Sequence, residues 1–166
     1  MTTSTHASAS WLTYPSDMDG ALRTLENGGL ILFPTDTIWS VGCSVEHPQA
    51  IRRLLQLVRL PDTTQAELLA WSLEELKLLA PHIHPRLETL LYFHKRPLTV
   101  IAPGAAHLPE EVLHPDGSVA LRIVQDSFCV GLLQAFGGPI LSVYAATAGA
   151  PYPATFGGIS SEIIQG

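Results

Sequence analysis

Lysine is scarce in this sequence, and the shortage of cations argues against one broad class of function. Only two lysines, Lys77 and Lys95, occur among nine basic residues, against 15 acidic residues, so the formal net charge is −6. A protein that binds nucleic acid without sequence preference needs many clustered cations, because its affinity comes from the release of counterions from phosphates. The composition therefore argues against a general nucleic-acid-binding protein.

Cysteines and long apolar runs are also scarce. Cys43 and Cys129 are too few for a disulfide framework, and both lie in apolar segments typical of buried thiols. No apolar run reaches the ~18–20 residues of a membrane span, and the polar residues 1–11 lack the positive segment of a signal peptide. Hydrophobic residues make up 46% of the chain, which excludes a disordered protein. We expect a cytoplasmic globular protein without membrane contact.

Helical and strand patterns alternate along the chain after a polar leader, predicted to be flexible, over residues 1–15. Apolar periodicity predicts helices over 17–27, 48–58, 73–80, 86–94 and 128–136. Short apolar runs predict strands over 30–33, 38–43, 66–71, 98–102, 119–124 and 140–144. We expect serine N-caps at Ser16, Ser72 and Ser127. The alternation indicates a single α/β domain over residues 16–166, with a last helix starting at Ile159.

Common phosphate and metal motifs are absent from the sequence. Neither G-x-x-x-x-G-K-[ST] nor G-x-G-x-x-G occurs. His82 and His84 come nearest to a metal pattern, but no second ligand cluster lies at a zinc-like spacing. We favour a solvated turn for the two histidines and predict no metal site.

Two polar features stand out against apolar strands. Thr35, Asp36 and Thr37 directly follow a predicted buried strand, where they could bind a small ligand or cap the turn locally. Arg122 lies inside the apolar run VALRIV, and a buried charge needs a partner. That partner could be an internal carboxylate such as Asp36, or a ligand carboxylate or phosphate. Loops at 34–37, 59–65 and 145–158 could converge on one such site.

Several segments resemble the YrdC-like family, which includes threonylcarbamoyl-AMP synthases. In order they are LENGGLILFPTDTIWSVGC, a helix, RPLTVIAPG, GSVALRIV and GGPILSVYAATAG, covering about residues 21–162. The resemblance implies a twisted, mixed α/β sheet with packed helices and a concave ligand cleft. It also implies the use of ATP, magnesium, L-threonine and bicarbonate to make threonylcarbamoyl-adenylate, which other tRNA-modification proteins then use. Some family members are described as binding double-stranded RNA.

The resemblance also assigns residues to the site. It implies substrate-binding positions at Thr35, Thr37, Thr99, Arg122 and Ser142, and the arginine of this family helps to hold threonine.

Four family positions that handle the nucleotide are replaced in this chain. The lysine and arginine of K-x-R fall at Val58 and Leu60, and the serine and asparagine of a later motif fall at Tyr144 and Ala146. A further family lysine falls at Thr64. Arg59 is shifted by one residue, which turns a helical side chain by about 100°.

The size of these losses decides what we expect of the activity. Removing one preorganised polar group costs about 10²–10³ in rate. We therefore assign no catalytic residue and predict a degenerate member with weak or no synthase activity that keeps a small-ligand pocket. The alternatives are an active L-threonylcarbamoyladenylate synthase, with Mg and ATP, and a double-stranded RNA-binding module.

Overall fold

A computed structural model describes residues 15–146, which form five α-helices, two short 3₁₀ turns and one six-stranded sheet. The helices are α1 (Pro15–Glu26), α2 (Pro48–Leu57), α3 (Leu73–Leu79), α4 (Pro85–Phe93) and α5 (Ser127–Phe136). The strands are β1 (Ile31–Phe33), β2 (Ser40–Ser44), β3 (Glu67–Ala70), β4 (Thr99–Pro103), β5 (Ser118–Ile123) and β6 (Ile140–Tyr144). The 3₁₀ turns span Thr63–Gln65 and Glu110–Val112.

The sheet is mixed, as the resemblance to the YrdC-like family implies. Its strand order is β1-β2-β6-β3-β5-β4, and every neighbouring pair is antiparallel except β3 and β5, which run parallel. The parallel pairing places Leu69 opposite Arg122, and the antiparallel pairing of β4 with β5 places Thr99 opposite Arg122 on the other side. Three strands therefore bring their side chains together around Arg122.

Helices cover both faces of this sheet. One core joins Leu68 and Leu121 to buried residues of α2, α3 and α4, and a second joins Leu69 and Ile140 to buried residues of α1 and α5. Neighbours such as Leu68 and Leu69 belong to different cores because successive strand side chains point to opposite faces. By the same alternation, Glu67 and Arg122 lie on the face that carries α1 and α5.

The helix starts agree with the predicted caps at one of three positions. Ser72 caps α3 as predicted, since its Oγ accepts a hydrogen bond from the backbone N–H of Glu75 at 3.2 Å. The prediction at Ser127 is wrong, because the carboxylate of Asp126 accepts from the N–H of Cys129 at 2.9 Å and α5 begins at Ser127. Asp is as favourable an N-cap residue as Ser, and here it lies at the position that directly precedes the helix. The prediction at Ser16 is also wrong, because α1 already begins at Pro15, and proline is favoured at a first helical position.

Some predictions lie outside the described residues: the leader as far as residue 14, most of the loop 145–158, and the helix at Ile159. In the described range, residues 15–146, we found no helix with the length and apolar character to cross a membrane.

Candidate functional site

Arg122 lies at the centre of a buried charge cluster on the sheet. It is only 1% exposed, and it contacts two carboxylates. Its Nε donates a hydrogen bond to Oε1 of Glu67 at 2.9 Å, and its Nη2 lies 2.8 Å from the same oxygen. Its Nη1 donates to Oδ1 of Asp36. The side chain is thus held by an acid on the neighbouring strand and by an acid from the loop after β1.

The loop that carries Asp36 is the polar turn singled out in the sequence. Thr35 Oγ1 donates to the carbonyl oxygen of Ile38 at 2.8 Å and accepts from the N–H of Thr37 at 3.1 Å, so these residues bond locally. Asp36 instead points to Arg122, and its second carboxylate oxygen accepts from the N–H of Gln125 at 3.3 Å. The structure therefore places Arg122 against the internal carboxylate named from sequence, while the threonines stabilise the turn.

The electrostatics of this cluster keep the arginine charged. Burial lowers the pKa of Arg122, but the negative charges of Glu67 and Asp36 raise it by more, so the pKa lies above its ordinary value. By formal charge, one guanidinium and two carboxylates give +1 − 2, a net charge of −1.

A cleft of about 280 Å³ opens beside the cluster. It is bounded by the sheet and by the turn before β3. The lining residues are Thr64, Gln65, Ala66, Glu67, Thr99, Ile101, Ala120, Ser142, Val143 and Tyr144. Thr99 and Ser142, two of the predicted substrate-binding residues, thus line the cleft. Thr35, Thr37 and Arg122 are not among its lining residues.

Glu67 connects the cleft to the buried arginine. It lines the cleft, while its Oε1 faces Arg122 and its Oε2 accepts a hydrogen bond from Thr99 Oγ1 at 2.8 Å. Sequence reasoning missed this residue. The available signal was the one that identified Arg122, namely a single charge in a predicted apolar strand, here AELLAW.

The four positions that the resemblance matched to nucleotide-handling residues of the family, Val58, Leu60, Tyr144 and Ala146, contain no cationic side chain. Val58 is fully buried at the end of α2, and Leu60 packs partly buried against the same core. Tyr144 lines the cleft, and the N–H of Ala146 donates to the carbonyl oxygen of Tyr144 at 2.7 Å. Between the first two, Arg59 is exposed with a left-handed backbone, φ 58°.

The described residues that line the cleft do not fit a magnesium-bound nucleoside triphosphate. Within residues 15–146, Glu67 is the one charged residue that lines the cleft, so phosphates there would meet a carboxylate and no cation. The described residues also contain no group of three His, Cys, Asp or Glu side chains placed to hold a metal ion. His84, one of the two histidines considered above, caps α4 through Nδ1, which accepts from the N–H of Arg86 at 3.1 Å.

Comparison with known proteins agrees with this fold. A family model of Sua5, YciO and YrdC proteins, described as telomere recombination, matches residues 23–165. This chain belongs to the Sua5/YciO/YrdC family. Curated relatives include threonylcarbamoyl-AMP synthases of Xanthomonas campestris and Cellvibrio japonicus. The first is 31% identical over 84% of this chain and 76% of its own length, and the second is 30% identical over 79% and 70%. The chain thus belongs to a family whose curated members include threonylcarbamoyl-AMP synthases.

Solved structures show the same fold. Sua5 of P. abyssi in complex with L-threonine superposes with a TM-score of 0.76 at 24% identity, over 87% of this chain and 45% of that one. YciO of E. coli superposes with a TM-score of 0.73 at 25% identity, over 82% and 66%. This chain therefore spans less than half of the P. abyssi protein.

Proposed function

We propose that this protein is a member of the Sua5/YciO/YrdC family that lacks threonylcarbamoyl-AMP synthase activity and uses its cleft to bind a small polar ligand. The observation that carries the proposal is the charge of the cleft. The family positions expected to hold cations are the apolar residues Val58 and Leu60, and the cleft wall carries the acid Glu67. Adenylation develops negative charge on phosphate oxygens, which has to be stabilised by cations or preorganised donors.

The hydrogen-bonding groups of the cleft support the retained ligand site. Thr99, Ser142 and Tyr144, which carry hydroxyl groups, line a pocket that also has apolar residues in its wall, including Ile101 and Val143. A concave site with a few polar groups on a largely apolar wall is the usual form of a small-molecule pocket. A relative of the same fold was solved with L-threonine, which supports a ligand of that size.

The decisive experiment is a pyrophosphate-release assay with ATP, magnesium, L-threonine and bicarbonate. The Cellvibrio japonicus synthase serves as the positive control, and the same reaction without L-threonine gives the background. We expect this protein to release pyrophosphate at the background rate. Release that depends on L-threonine and approaches the rate of the positive control would overturn the proposal.

An active synthase is the second candidate, and the identity of 31% to curated synthases over 84% of the chain favours it. It would require Arg59, Lys95 or Arg96, all exposed, to replace the lost cations. The same assay separates the two candidates. A cytoplasmic location and contact with tRNA-modification proteins are parts of the proposal that follow from the family alone.

Binding of double-stranded RNA is the least supported function. The net charge of −6 and the absence of the K-x-R cations both disfavour it. A filter-binding titration across salt concentrations would reveal such binding as affinity that falls steeply with added salt.

A further inference from the structure

The side chain of Glu67 makes the contacts that the carboxylate of a bound ligand would make. Its Oε1 faces Nε and Nη2 of Arg122 at 2.9 and 2.8 Å, and its Oε2 accepts from Thr99 Oγ1 at 2.8 Å. A guanidinium beside a hydroxyl donor is a common arrangement for holding a carboxylate, because both groups donate to its oxygens. In this protein the carboxylate belongs to the chain itself.

Burial shows which side of Glu67 each partner occupies. Glu67 and Thr99 line the cleft, whereas Arg122 is 1% exposed and is not part of its wall. Glu67 is itself largely buried, at 8% exposure. A ligand in the cleft therefore meets the acid before it can meet the arginine.

Glu67 does not satisfy all the hydrogen-bond donors of Arg122. Both nitrogens of the guanidinium edge face the single oxygen Oε1, whereas a paired carboxylate usually offers one oxygen to each nitrogen. Among the described residues, no acceptor makes a hydrogen bond of good geometry to Nη2, although its ion pair with Glu67 is close. The arginine thus has a donor that a free carboxylate could use once the side chain of Glu67 is removed.

We propose that Glu67 is a built-in carboxylate that blocks Arg122, so that the cleft excludes ligands with a free carboxylate and accepts neutral or cationic polar ligands. The charge of the cluster acts in the same direction, because Glu67 and Asp36 together outweigh the arginine by one negative charge. This inference deepens the proposed small-ligand site and rests on it. It makes Glu67 the residue that determines specificity.

The test removes Glu67 and supplies a carboxylate from solution. Glu67→Ala leaves a space beside Arg122 that acetate or formate fits. We expect sodium acetate to raise the melting temperature of Glu67→Ala above its value in sodium chloride of equal ionic strength. Wild type, and Glu46→Ala at an exposed site, should show no difference between the two salts.

Calorimetric titration with L-threonine gives the second readout. We expect Glu67→Ala to bind L-threonine at least tenfold more tightly than wild type. Glu67→Gln should fall between them, because the amide removes the negative charge but still fills the space. Glu67→Gln keeps the size of the side chain, so it tests the proposal even if the alanine variant does not fold.

Two results would overturn the inference: wild type that binds L-threonine as tightly as both variants, or folded variants that gain neither acetate stabilisation nor L-threonine affinity. Neither result depends on pyrophosphate release. Failure of this inference is therefore distinguishable from failure of the proposed lack of synthase activity, which that assay measures separately.

Discussion

Glu67 Oε1 and Arg122 Nε lie 2.9 Å apart across the parallel pair β3 and β5, at the back of the cleft. The two residues are 55 positions apart in sequence, and the parallel pairing brings them together. Asp36 completes the cluster from the loop after β1. The centre of the candidate site therefore depends on three separate parts of the chain. The contacts that stabilise this cluster are the same ones on which the proposed ligand specificity rests.

Removing the arginine should destabilise the fold strongly. Arg122→Ala leaves the carboxylates of Glu67 and Asp36 without their shared cation, and breaking a buried ion pair from one side costs about 3–5 kcal/mol. We expect the free energy of unfolding, measured by urea denaturation with circular dichroism, to fall by that amount.

Arg52→Ala provides the matched control for that experiment. Arg52 lies 3.6 Å from Glu111, and the side chain of Arg52 is 61% exposed. Exposed pairs of this kind contribute about 0–1 kcal/mol. If both alanine variants lose the same small amount of stability, the buried cluster does not make the expected contribution to the free energy of unfolding.

The sequence predicted local elements well, because their signals are local. The strand Ile140–Tyr144 was predicted with its observed ends, and the cap at Ser72 was correct. Glu67 was missed because its importance comes from a partner on β5, and no local pattern reveals which strands pair in parallel. Arg122 is recognisable in the sequence as a charge in an apolar strand. Only the fold shows that it pairs with two acids, Asp36 and Glu67.

Replacing Arg59 by glycine should stabilise the protein. Arg59 has φ 58°, and it follows α2 in a turn where its N–H donates to the carbonyl oxygen of Gln56 and the N–H of Leu60 donates to that of Leu55. Glycine is the preferred residue at this position, and the left-handed conformation costs other residues roughly 1–2 kcal/mol. After allowing for the greater freedom of glycine in the unfolded chain, we expect Arg59→Gly to gain about 1 kcal/mol in urea denaturation.

The control for that substitution lies in the same helix. Arg53 is exposed within α2, and glycine in a helix interior is destabilising by about 1 kcal/mol. Arg53→Gly should therefore shift the urea midpoint in the opposite direction. Equal shifts for the two variants would contradict the proposed relief of backbone strain.

Asp116 should make a contribution to stability that depends on pH. Its carboxylate accepts from the hydroxyl of Ser118 at 2.5 Å and from the N–H of Ser118 at 2.9 Å, and these bonds lower its pKa below 3.8. A lowered pKa in the folded state means that the contribution is present above the ordinary pKa and is lost as pH falls through the folded value. We expect Asp116→Ala to be less stable than wild type at pH 7, and the melting temperatures to converge below pH 3.8. A difference that stays constant down to pH 2 would show that the charge of Asp116 does not matter.

Both cysteines should be unreactive until the protein unfolds. Burial raises the pKa of the Cys43 thiol to about 12. Burial also raises the pKa of Cys129, to which the negative charge of Asp126 adds, and its thiol donates to the carbonyl oxygen of Pro34 at 3.4 Å. The thiolate is the reactive form, so at pH 8 a pKa near 12 leaves a reactive fraction of about 10⁻⁴. A chromogenic disulfide reagent should therefore release no colour from the native protein within minutes and two equivalents in guanidinium chloride, with Cys43→Ala releasing one. A thiol that reacts in the native state at the rate of free cysteine would contradict the packing described around both residues.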